Sequence, residues 1–235
     1  MRVDSSNPML VVSSRAAAVV LSIAIFTLVA ASVAGQVLKY RFNHDHMFGL
    51  VNLFNLDGEM NLPTWYAATT LLTASVLLWI ISRARRASGD GDARYWAGLA
   101  AIFLYLSADE AAFIHELLNP VLRPRHFLPG FLYYGWVVAG IAAVAVVGLL
   151  YTGFVLRLAA PVRRLFILSA FLFVGGSLGI EMLSAQYAWR QGTDNLEYAL
   201  LTTLEEAMEM TGVAVFIYAL LRQLSACGPV SLRAR

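Results

Sequence analysis

Cysteine is almost missing from this chain of 235 residues. The single Cys227 allows no internal disulfide and leaves too few thiolates for a sulfur-rich metal site. Charge is nearly as scarce: Asp, Glu, Lys and Arg make up 14% of the residues, where a soluble domain carries about 25%. Apolar residues reach 59% and mean hydropathy is +0.67. That combination excludes an ordinary soluble domain and marks an integral membrane protein. No cluster of Lys and Arg interleaves with aromatics on a polar surface, which sets nucleic-acid binding aside.

Six stretches are long enough to cross a bilayer, which takes about 20 residues. They run over 16–38, 63–82, 95–118, 131–156, 165–189 and 197–221. The first, second and fourth are uncharged, and the other three are interrupted by acids. Short connections separate them, and Gly89 and Gly91 mark a turn between the second and third. The sizeable loop 39–62 has apolar positions from Met47 to Phe54 that fit a short interfacial helix. The uncharged run of the first stretch exceeds the apolar core of a signal peptide, so it reads as an anchor. The expected fold is an all-α polytopic membrane bundle of six transmembrane helices forming a single domain over 1–235. Arginine orients it. With the N-terminus inside, cytoplasmic segments hold 12 of the 17 basic residues and outer segments 5, which places both termini in the cytoplasm.

The totals of 17 basic and 15 acidic residues look balanced, but the two signs are segregated. Seven acids lie within expected spans: Asp109, Glu110, Glu116, Glu181, Glu205, Glu206 and Glu209. No Lys or Arg lies at comparable depth. A lone charge at a helix centre costs about 2.5–3.5 kcal/mol, so seven uncompensated carboxylates would cost on the order of 20 kcal/mol. They therefore need protons, water or bound cations. All seven fall in the outer half of the bilayer on the expected topology, and helical periodicity places them on one polar face of each of three helices.

Carboxylates from facing helices with an imidazole suit hard or borderline divalent ions, here Fe, Mn, Zn or Mg. The expected ligands are Asp109, His115, Glu116, Glu181, Glu205 and Glu209, with Glu110 and Glu206 as general acid or base. The Glu-x-x-His pair of di-metal bundles is absent. The segment His44-Asp45-His46 offers further ligands from the loop, although solvated histidines are the commoner case. Asp57-Gly58-Glu59 reads as a turn. Tyr134 and Trp136 read as part of an aromatic belt, with Trp65, Tyr66, Tyr133 and Trp189. The leading expectation is an outward-facing metal-dependent membrane enzyme with a lipidic substrate. A proton- or cation-coupled transporter and an accessory subunit of a membrane complex remain open beside it.

The segments Asn55-Leu56-Asp57-x-Glu59-x-Asn61-Leu62-Pro63-Thr64-Trp65, Asp109-Glu110-x4-His115-Glu116 and Leu204-Glu205-Glu206-x2-Glu209 carry a resemblance. Through them the chain resembles a group of uncharacterised bacterial polytopic membrane proteins. The resemblance implies a multi-pass protein of the bacterial inner membrane and carries no activity.

Overall fold

A computed structural model describes residues 13–44, 47–122 and 130–226. His46 and Cys227, together with Arg123, Arg125 and the charged residues near both termini, lie outside the described residues. Every regular element in the described residues is helical. Helix α1 (Ser14–Phe42) starts on Ser13, whose hydroxyl accepts from the amide of Ala16, and ends on a left-handed Asn43. A single 3-10 turn leads into the short α2 (Leu50–Phe54), the helix expected in the loop. Pro63 sits in the first turn of α3 (Leu62–Ala87), where its missing N–H leaves no bond unmade. The turn after α3 feeds α4 (Ala93–Ala112).

Helices α3 and α4 pair closely, and buried serines lock them together. Ser75, Ser82 and Ser107 donate to the carbonyls of Ala100, Ala93 and Ala68 at 2.7–2.8 Å. Small hydroxyl residues suit such contacts because they let two backbones approach and satisfy a polar group within the protein.

At Phe113 the backbone turns left-handed, with φ at 52°. The chain then bends by 78° into a short helical segment starting at His115. Its second part, Asn119–Leu122, is α5. Helix α6 (Trp136–Arg157) follows, and then α7 (Ala160–Val174), a π-helical turn over Gly175–Ile180, and α8 (Glu181–Gln191) form one continuous rod. The last helix, α9 (Leu196–Ala226), is central and packs against α1, α3, α7, the π turn and α8. Leu78, Ile81, Trp96, Phe154, Phe216 and Leu220 fill the core between these helices. Large apolar side chains such as Phe26, Leu149 and Phe171 point outward, as a lipid-facing surface requires.

The expected count of six spans is corrected. Four helical rods in the described residues are long and apolar enough to cross a membrane: Ser14–Phe42, Leu62–Ala87, Trp136–Arg157 and Ala160–Gln191. The bent pair Ala93–Ala112 and His115–Val121 makes five if it is one span. The third stretch therefore does not run straight to residue 118; it breaks at Phe113. The sixth expected span, α9, is not among the candidates. It carries Glu197, Glu205, Glu206 and Glu209 along its first half and is wrapped by other helices. Four spans would keep both termini on one side and five would part them, so the span count no longer places both termini in the cytoplasm. What stands is an all-α, multi-pass membrane bundle.

Candidate acid-lined cavity

Between the loop 55–61, α3, α4, α6, the π turn, α8 and α9 lies a cavity of about 390 Å³. Its wall holds nine carboxyl groups, those of Asp57, Glu59, Asp109, Glu110, Glu116, Glu181, Glu205, Glu206 and Glu209. Among the described residues no Lys or Arg lines it. All eight residues expected to form the site thus reach one cavity, across helices far apart in sequence.

Several of these groups are held by neighbouring side chains. Asp109 accepts the backbone N–H of His115 at 2.7 Å and pairs with its Nδ1 at 2.9 Å. The bend at Phe113 makes this possible by folding residue 115 back over residue 109. The His115 ring lies against Trp136, with centroids 4.8 Å apart. Trp136 in turn donates its indole N–H to Glu181 at 3.2 Å. The hydroxyl of Ser184 lies 3.4 Å from Glu205, which is 7% exposed. Glu181 follows directly on the π turn, whose wider coil sets the rotation of α8 relative to α7. Gly176 in that turn touches α9: a Cβ there would meet the Glu205 carbonyl at 2.8 Å and Glu209 Cγ at 2.9 Å.

Glu110, Glu206 and Glu209 differ from these. No hydrogen bond reaches their carboxyls among the described residues. Glu206 and Glu209 are half-buried and line the cavity.

The loop over the cavity is tightly built. The side-chain amide of Asn61 donates to the carbonyls of Asn55 at 2.7 Å and Gly58 at 2.9 Å, while its oxygen accepts from the Thr64 amide at 3.1 Å. Gln36 donates to Asn55 at 2.6 Å, and the Leu56 amide donates to Ser32. This frame turns Asp57 into the cavity. Asp57 meets the cavity's solvent yet has protein on most sides; that enclosure first, then the nearby Glu181 and Glu116, pushes its carboxyl up to about 7. Tyr134 and Tyr198 face each other with hydroxyls 2.8 Å apart, and burial pushes the Tyr134 phenol up to about 12.

The metal centre expected from the sequence is corrected. Among the described residues no group of three or more His, Cys, Asp or Glu side chains is placed to hold a metal ion. Co-facing positions on three helices put acids on one wall, but coordination needs donor atoms converging on one point at roughly 2 Å. Here Asp109 faces His115, Glu181 accepts from Trp136, Glu205 lies beside Ser184, and the rest are spread around the wall. The divalent cofactor of Fe, Mn, Zn or Mg and the carboxylate/His cluster as a metal-dependent enzyme centre are withdrawn with it. His44 is exposed at the end of α1 and is absent from the cavity wall.

Sequence reasoning missed Asp57, read as part of a turn, and Tyr134 and Trp136, read as interfacial anchors. The signal for Asp57 was present in the dense polar segment from Asn55 to Thr64, whose asparagines form the frame that aims it.

A family model described as Domain of unknown function (DUF8692) matches residues 15–224, and the chain belongs to that family. Neither the curated proteins nor the solved structures include a match to it.

Proposed function

We propose, starting from membership of a family whose description carries no activity, that this membrane protein binds a small organic cation, a protonated amine, in the acid-lined cavity. One observation carries the reading: nine carboxyls share the wall with no Lys or Arg, and six of them, Asp57, Glu59, Glu110, Glu116, Glu206 and Glu209, accept no hydrogen bond among the described residues. Nine carboxyls facing a single imidazole, His115, attract a further cation as they ionise, because low-dielectric walls focus their field. The size lies within the range of ordinary small-molecule sites. Aromatic faces of Tyr134, Trp136 and Tyr198 line the same space and suit a substituted ammonium through cation–π contact.

Roles divide along the geometry. Asp57, Glu110, Glu206 and Glu209 supply charge to the ligand. Asp109 and His115 hold each other, Trp136 and Ser184 hold Glu181 and Glu205, and these shape the wall, with Glu116 at its exposed edge. An amine makes no demand for convergent ligands; two or three separated carboxylates serve its three donors. The location proposed is the inner membrane of a bacterium, supported by the apolar helices and by the resemblance of the three acidic segments.

A three-way comparison tests the reading. Phenethylamine, phenethyl alcohol and phenylacetate differ in charge and little in shape. The amine is expected to raise the melting temperature of the purified protein by several degrees at millimolar concentration, the alcohol by less, and the anion not at all. Equal effects of all three would reject it.

A further inference from the structure

The same cavity is not lined by acids alone. Its side facing α6 is made of Ala139, Gly140, Ala143 and Val144, a strip without a polar side chain. Helix α6 is also the least enclosed long helix: only Val137 and Phe154 in it are buried. It is fastened to α4 at the end away from the cavity, where Phe154 stacks on Tyr95 at 5.3 Å and meets Trp96 edge-on at 5.0 Å. Nearer the cavity the two helices present Tyr105, 53% exposed, and Val144, 40% exposed, and both line the cavity. In a bilayer, side chains this exposed on helices of this kind meet acyl chains. Helices α4 and α6 are not among the closely packed pairs, which makes the wall between them the thin side of the cavity.

Resting on the amine reading above, we propose that the ligand is an amphiphilic amine. Its ammonium lies among Glu110, Glu206 and Glu209, and its alkyl chain runs along α6 and out between α4 and α6. The unpartnered carboxyls of Glu206 and Glu209 fix where the charge goes, and the apolar strip fixes where the chain goes. The ligand carries no phosphate, because a phosphate beside nine carboxyls and no basic residue would be repelled. From Ala139 to Val144 the strip is about 7.5 Å long at 1.5 Å per residue. A chain of about six carbons covers it, and anything longer continues into lipid.

The experiment measures binding of n-alkylamines from methyl to decyl by calorimetry, with the full chain in nanodiscs of zwitterionic lipid and empty nanodiscs subtracted. Affinity is expected to rise about two- to fourfold per methylene up to roughly hexyl and then flatten. In Ala143→Phe, which narrows the strip, that rise is expected to disappear. Val146→Phe lies on the same helix but does not line the cavity, and is expected to keep the rise. A rise that persists unchanged in Ala143→Phe, or no rise in wild type, overturns the amphiphile while leaving the amine site. Absence of binding by every amine tested overturns the amine reading itself.

Discussion

Two groups of acids in this protein meet opposite fates. At the turn between α3 and α4, Asp90 pairs with Arg85 at 2.8 Å and Asp92 with Arg157 at 2.7 Å. Asp90 also accepts the Asp92 amide, and that bond, helped by Arg85, holds its carboxyl below the usual range. At the other end of the same helices, nine carboxyls line a cavity with no Lys or Arg among the lining residues. The turn uses its acids to close a connection and neutralises each one. The cavity gathers nine carboxyls around the single imidazole of His115, so most of them depend on protons, water or a cation from outside the chain.

The largest expected effect breaks the cavity by moving its wall. Gly176→Leu drives a side chain into the Glu205 carbonyl and Glu209 Cγ and is expected to cost about 2–3 kcal/mol, read as earlier unfolding in a denaturant titration. Next comes charge without shape. Glu206→Gln and Glu209→Gln are each expected to weaken amine binding about ten- to a hundredfold, with stability unchanged or raised, because a half-buried carboxylate without a hydrogen-bond partner is removed. A variant that binds normally, or that unfolds earlier, would give these acids the structural role of Asp90 and Asp92.

The pH dependence distinguishes the two ends further. Asp57 has its carboxyl raised from 3.8 to about 7 in the folded protein. Folding stability from this group is fully present below about pH 4, and it is lost as pH rises to about 7. Ligand binding runs the other way, since Asp57 becomes a charge partner only as it ionises, while an amine of pKa near ~10 stays protonated. Amine affinity is expected to rise from pH 5.5 to 8, and Asp57→Asn is expected to flatten part of that rise and to gain stability over wild type at pH 8 relative to pH 5. Identical profiles in the two proteins would remove Asp57 from the site.

Smaller effects follow. Asn61→Ala removes the cap of α3 and the donor that holds Asn55 and Gly58, and is expected to cost about 1 kcal/mol and to blunt the Asp57 pH response. Asp90→Ala breaks a partly exposed ion pair and is expected to cost under about 1 kcal/mol, with no change in amine binding.

Part of this arrangement is legible in the sequence. The absence of Lys and Arg beside seven interior acids pointed to a shared polar space, and α1, α3, α6 and the α7–α8 rod lie close to the apolar runs that announced them. The break at Phe113 was not legible, because a left-handed phenylalanine depends on tertiary contacts rather than local preference. That break is what pairs Asp109 with His115, two groups the helical wheel treated as co-ligands. Periodicity gives the face of a helix and not the distance between donor atoms on neighbouring helices, and the metal centre failed on that difference. Asp57 was hidden because a turn sequence shows its local geometry and not what the turn folds against.

The central claim is that the cavity carboxyls bind a protonated amine, and calorimetric titration of phenethylamine at pH 8 tests it most directly. The account predicts saturable binding of one amine per chain, weakened about tenfold or more in Glu206→Gln. Absence of saturable binding, or equal affinity in wild type and Glu206→Gln, would contradict it.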